Sequence, residues 1–313
     1  MTKYRNNLPQ ISDEIFLTDD GLETTLVFHN GIDLPEFSAF VLMKDREGRN
    51  TLKQYFKKYI AIAKQHGLSF ILETPTWRSS SKWGEMLGYT EDQLVEINQE
   101  SVELLLQIRN EHETDSSKFI ISGCLGPKGD GYVIDEMMTI EAAENYHAQQ
   151  IRTFSNTEAD LVTAITLTYV EEAIGIVRAA ESENIPVVIG FTVETDGKLP
   201  SGHTIQYAIE TVDAATNNYA AYYMINCAHP THFQNSIKGS QAWKQRIRSV
   251  RANASTKSHA ELDESVVLDE GDPEDFGFQY GKLREELTNL NVLGGCCGSD
   301  HRHIAEVCKH VIG

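Results

Sequence analysis

Five cysteines stand in this chain, Cys124, Cys227, Cys296, Cys297 and Cys308, and two of them are neighbours within Gly294-Gly295-Cys296-Cys297-Gly298. A thiolate is both a nucleophile and a soft metal ligand, and five scattered cysteines are too few for a disulfide framework. Cys227, Cys296 and Cys297 together offer three thiolates to one zinc ion. Three protein ligands with the fourth position open is the layout of a catalytic zinc site, whereas four closed ligands make a structural one. Adjacent cysteines can face one ion only where the backbone bends sharply, and Gly294, Gly295 and Gly298 permit such a bend. Two other readings stand beside this one: thiols buried as small hydrophobes, or a vicinal Cys296–Cys297 disulfide formed on oxidation. Cys124 and Cys308 read as packing residues, the latter sharing an apolar helical period with Ile304, Val307 and Val311.

For those thiols to meet, the fold must bring together segments far apart in sequence. Eight short apolar runs suited to buried parallel strands occupy 15–21, 68–76, 118–126, 160–168, 185–193, 220–227, 246–255 and 291–298. Stretches of helical period alternate with them. The clearest, 51–66, places Leu52, Tyr55, Phe56, Tyr59, Ile60 and Ala63 at three- and four-residue steps, with Gly67 to close it, and 92–109 is a second. Eight such units predict a single-domain α/β chain, a (β/α)8 TIM barrel spanning 1–313, with a doubly wound open sheet as the second choice. The seventh unit is the weakest, because the acidic run ELDESVVLDEGDPED (261–275) reads as a solvated insertion or a partner-contacting flap.

Chemistry in such barrels sits at the carboxyl ends of the strands. Those ends carry Asp19, Asp20 and Gly21, then Glu73 and Thr74, Thr166, Glu194, Asn226 with Cys227, and the Cys296–Cys297 pair. The formal net charge of −19 opposes nucleic acid and anionic membranes, both of which attract Lys and Arg clusters. The opening residues lack the apolar core of a signal peptide, and no stretch reaches the roughly 20 apolar residues of a membrane span. A cytoplasmic protein with reduced thiols is expected, and a homo-oligomer is compatible with the sequence. The glycines at 123, 126, 129 and 131 lack a phosphate-loop signature. His229, two residues beyond Cys227, reads as polar loop, and His301 and His303 as solvating the start of the last helix.

MINCAHP (224–230) followed by VLGGCCGSDHRHI (292–304) resembles the zinc-dependent homocysteine S-methyltransferase family. LTDDGLETTLVFHNGIDL, SGCLGPKGDGY and EADLVTAIT extend the likeness over most of the chain. The resemblance implies a (β/α)8 barrel in which Cys227, Cys296 and Cys297 bind Zn2+ and the substrate thiolate takes the fourth position. It implies that Asp19 meets the amino group of homocysteine, with backbone N–H groups near Asp20 and Gly21 beside its carboxylate. Thr74, Thr166 and Asn226 complete the candidate substrate contacts. No side chain need act as a catalytic base, since the nucleophile is the metal-activated substrate thiol. The expected reaction moves a methyl group from a sulfonium or quaternary ammonium donor, S-methylmethionine being favoured, to homocysteine, and so makes methionine.

Two departures stand out. The family's Asp-Gly-Gly is Asp19-Asp20-Gly21 here, and the Glu-Thr that ends its fourth strand is Ile165-Thr166. That Glu is a second amino-group ligand in the family, and Glu73 and Glu194 are the residues able to replace it. The loss motivates two alternatives: methylation of another small thiol or selenol, and a non-catalytic, zinc- or amino-acid-binding member of the fold. Trp77 offers an aromatic face to a cationic donor.

Overall fold

The computed structural model of the chain describes residues 2–134 and 136–312. Eight parallel strands close into a barrel in sequence order: β1 Phe16–Leu17, β2 Ser69–Glu73, β3 Phe119–Leu125, β4 Leu161–Leu167, β5 Val187–Phe191, β6 Tyr222–Asn226, β7 Ile247–Ala252 and β8 Val292–Gly295. The seam is β1 on β8, with Phe16 opposite Val292 and Leu17 opposite Leu293. This closure excludes the doubly wound sheet. Each expected run supplies one strand, trimmed at its ends because the residues carrying polar side chains leave the ladder to form the barrel mouth.

Helices pack around the outside. Helix Arg46–Gln65 starts at Asp45, whose carboxylate accepts from the Gly48 N–H at 2.8 Å, and its apolar stripe from Leu52 to Ala63 is buried. Helix Glu91–His112 opens with a reciprocal capping box between Thr90 and Gln93, which satisfies N–H groups that a helix start leaves without partners. The segment after β7 departs from expectation. Its acidic run holds a short capped helix, His259–Asp263, then the start of helix Pro273–Glu286, and residues from Leu262 to Asp269 fold over the mouth.

The barrel interior has two levels. At the amino-terminal level, Phe16, Ile71, Ile120, Leu161, Val188, Tyr222, Met224 and Val292 form an apolar plug drawn from seven strands. Above it the inward residues turn polar, with Ser122 and Thr163 hydrogen-bonded at 2.7 Å and Glu73 and Arg251 in contact. The plug makes a dry floor, and the polar layer becomes the base of a site. Among the described residues no helix is long and apolar enough to cross a membrane.

Candidate active site

The Sγ atoms of Cys227, Cys296 and Cys297 lie within 4.8 Å of one another at the carboxyl ends of β6 and β8. Cys227 and Cys296 are in disulfide contact with Cα atoms 5.4 Å apart, and Cys297 is a free thiol. The close pair therefore spans two strands, and the vicinal Cys296–Cys297 bond considered from sequence does not form. The packing-residue reading suits Cys124 and Cys308, both buried.

Local backbone explains why these thiols converge. Cys227 has φ +52°, a left-handed conformation that costs a non-glycine residue about 1–3 kcal/mol. Its carbonyl receives three donors that hold it there: Nε2 of His259 at 2.6 Å, Nδ2 of Asn253 at 3.1 Å and Oγ1 of Thr192 at 3.3 Å. Glu194 in turn touches Nδ1 of His259 at 3.1 Å. On the other side, Cys296 is fixed through its N–H to Ala252 and through Ser299, whose hydroxyl and N–H both reach the Cys296 carbonyl. Tyr132 bridges the halves: its hydroxyl lies 3.4 Å from the Cys297 sulfur and its ring stacks on His259 at 4.1 Å.

Gly294 and Gly295 serve close approach. A Cβ on Gly294 would stand 1.8 Å from the Thr18 hydroxyl, and one on Gly295 would stand 1.8 Å from Oδ1 of Asp20. The two glycines thus let the end of β1 nest against the end of β8. Asp20 is tucked beneath Gly295, and burial, reinforced by the neighbouring Asp19, pushes its carboxyl well above the usual range.

A cavity of about 320 Å³ opens above the thiols, lined by all three cysteines, Asp19, Asp20, Gly21, Glu23, Glu73, Thr74, Ile165, Thr166 and Arg251. Arg251 is its structural hub. The buried guanidinium donates to the Gly295 carbonyl at 3.0 Å, to Oδ1 of Asp19 at 3.1 Å, to the Asp20 carbonyl at 3.1 Å, and to Glu73. Burial raises the pKa of both Asp19 and Glu73, and Arg251 opposes that rise. The same two carboxylates outweigh burial to keep Arg251 firmly charged.

The remaining candidates divide. Thr74 lines the cavity but spends its hydroxyl on Thr76 at 2.6 Å and on the Cys124 N–H at 2.8 Å. Thr166 has φ +65° and is locked to Asn226 in both directions, at 2.9 Å and 2.8 Å, with its hydroxyl 3.7 Å from the Cys227 sulfur. Asn226 therefore shapes the β4 end rather than the cavity wall. Glu73 and Glu194 are committed to Arg251 and His259, so neither is free to replace a carboxylate at Ile165. The face of Trp77 already carries a cation, since Arg78 lies 4.7 Å from its ring centre and 3.9 Å from that of Trp83. His229 caps the short helix at Pro230 and is held neutral by burial, its pKa lowered to about 4. His303 is fully buried and joins Asp300 to the Glu270 carbonyl, so it does not solvate the helix.

Arg251, His259, Tyr132 and Glu23 escaped the sequence reading. Arg251 alone left a signal, a charge on the inward face of a strand that a barrel must bury. The other three sit in loops or a single helical turn, where periodicity carries no information.

A closed parallel barrel with three thiols converging at its carboxyl-terminal mouth, beside a small cavity walled by carboxylates, is the architecture of an enzyme that handles a small thiol or metal ligand. The family model for homocysteine S-methyltransferase matches residues 16–311, and the chain belongs to that family of methyltransferases. It is 24% identical over 304 residues to homocysteine S-methyltransferase 1 of Brassica oleracea var. italica, covering 90% of this chain and 88% of the relative. The fold matches the homocysteine methyltransferase MmuM of Escherichia coli in its oxidized form, with TM-score 0.71, 18% identity and coverage of 97% and 98%. The metallated form of the same enzyme matches with TM-score 0.69, 18% identity and coverage of 95% and 96%.

Proposed function

We propose that this protein transfers a methyl group from a sulfonium or quaternary ammonium donor, S-methylmethionine being favoured, to the thiol of homocysteine, and that it depends on zinc. The observation that carries the reading is the convergence of Cys227, Cys296 and Cys297 within 4.8 Å beside a cavity that Asp19 lines. Three soft sulfur donors at the barrel mouth fit zinc better than a hard cation, which prefers oxygen. The metallated form of the similar E. coli enzyme agrees with a metal here. Zinc held by the three cysteines would keep the substrate thiol ionised at neutral pH, far below its ordinary pKa near 8.5.

The chain's own residues do the rest. His259, Asn253 and Thr192 hold Cys227 in its turned conformation, which keeps its sulfur at the cavity wall beside those of Cys296 and Cys297. Arg251 fixes Asp19 at the cavity wall, and its carboxylate would meet the substrate's ammonium there. Homocysteine sulfur then attacks the donor methyl carbon in line. One S–C bond forms, the donor's bond to that carbon breaks, its electron pair leaves with the donor atom, and the donor departs one charge less positive. No proton moves in that step, so none of the cavity carboxylates need act as a base in it. The plug below and the segment folded over the mouth limit water around the reacting atoms. We place the reaction in the cytoplasm, where thiols stay reduced.

Cys297→Ser tests the assignment. The expected variant keeps its circular dichroism and denaturation midpoint but loses most of its zinc and its methyl transfer to homocysteine. Normal turnover by that variant opposes the assignment.

A further inference from the structure

The cavity carboxylates can be accounted for one at a time. Asp19 and Glu73 share Arg251, Asp130 lies 3.6 Å from Arg78, and Asp269 lies 3.1 Å from Lys257. Asp20 is turned under Gly295, and Asp263 is exposed at the rim. Glu23 differs from all of these. It sits on the single turn Leu22–Thr24, directly beyond the Asp19–Gly21 strand end, is half-buried, and lines the cavity. Among the described residues its carboxylate has no ion pair and no hydrogen bond to another side chain, and the two cations whose charge reaches it, Arg251 and Arg78, are already paired with Asp19 and Glu73 and with Asp130.

A carboxylate held partly out of water without a cationic partner is unfavourable, and a ligand that brings the missing cation relieves the cost. Burial, together with repulsion from Asp19, pushes the Glu23 carboxyl up to about 7, the behaviour of a group lacking its counter-ion. The β4 end offers no alternative, because Ile165 gives the cavity a hydrocarbon wall there. Carboxylates outnumber cations around the cavity, where Arg251 and Arg78 face Asp19, Asp20, Glu23, Glu73 and Asp130, so the site favours a cationic group on the ligand.

We infer that Glu23 is a specificity residue for the acceptor: its carboxylate, beside Asp19, receives the α-ammonium of the amino-acid thiol. The inference rests on the reading that homocysteine binds in this cavity. It makes the turn after β1 the selector between amino-acid thiols and simple thiol acids of the same length.

The test compares homocysteine with 4-mercaptobutanoate, the same thiol acid without the amino group. Calorimetric Kd values for both are measured on the protein as purified, with its metal content checked, for the wild type, Glu23→Gln and Glu23→Asp. The wild type is expected to favour homocysteine by about 30- to 4000-fold, the range for a desolvated charge pair whose partner is removed. Glu23→Gln is expected to cut that preference by at least tenfold with metal content unchanged, Asp19 supplying what remains, and Glu23→Asp to fall between. A wild-type preference that Glu23→Gln retains overturns the inference and leaves the proposed function standing. Equal binding of the two ligands by the wild type, or binding of neither, defeats the reading of the cavity as a homocysteine site and the inference with it.

Discussion

Replacing Arg251 by methionine removes one guanidinium and keeps most of its hydrocarbon volume, so the loss is electrostatic rather than a cavity. The guanidinium has four acceptors, the Asp19 and Glu73 carboxylates and the carbonyls of Asp20 and Gly295, all within a buried layer. Stranding the partners of a buried ion pair costs about 3–5 kcal/mol. With a urea slope of about 3 kcal/mol per molar for a chain of this size, the unfolding midpoint falls by about 1–2 M. The sign with pH follows from the carboxylates, whose folded pKa values are raised by burial. Such groups bind protons more readily in the folded chain, so the penalty is present above their unfolded pKa values and grows as pH rises toward the folded ones. The deficit of Arg251→Met is therefore largest near pH 8 and shrinks toward pH 4.5. Adding Glu73→Gln to Arg251→Met should recover about half of the loss, since one of the two stranded charges is gone. Urea unfolding of the wild type and the two variants at both pH values is the assay. A midpoint within about 0.3 M of wild type at pH 8, or a deficit that grows on acidification, refutes the hub role of Arg251.

His259→Gln should weaken metal binding by about tenfold, measured by competition with a chelator, because a positioning partner of a ligand residue is worth about 10–100-fold in affinity. An unchanged affinity means that Asn253 and Thr192 alone hold Cys227. Asp20→Asn should stabilise the protein by about 1–3 kcal/mol at pH 8, because a buried carboxyl with a raised pKa is costly once ionised, and the gain should disappear near pH 4. Thermal melts at the two pH values decide it, and a lower melting temperature for the variant at pH 8 counts against the buried, unpaired acid.

The eight strands were legible because parallel barrel strands are buried on both faces and read as continuous apolar runs. IPVVIGFTV, for one, leaves little else to choose. Cys227, Cys296 and Cys297 were legible because their spacing puts them on two strand ends that a barrel brings together. What the sequence hid is the set of contacts made across the mouth. His259 lies in a polar stretch, and nothing local says that its ring reaches the carbonyl of Cys227, 32 residues earlier. Glu23 follows a strand end in an ordinary turn, and its lack of a partner is a property of the assembled cavity. Glu73 and Glu194 looked free only because the side chains that occupy them, Arg251 and His259, come from a different strand and a short helix.

The seam between β1 and β8 also governs when the site can exist. Asp19 and Asp20 are made well before Cys296 and Cys297, yet the two segments nest against each other across Gly294 and Gly295. During synthesis the polypeptide carries Cys227 for some seventy residues before the paired thiols emerge. At about 5–20 residues per second, that leaves several seconds in which the first thiol is present and its partners are not. On the proposed zinc site, ion capture by all three sulfurs would mark the completed ring, and a metal-sensitive probe on a ribosome-bound series of lengthening chains would register barrel closure as a single step.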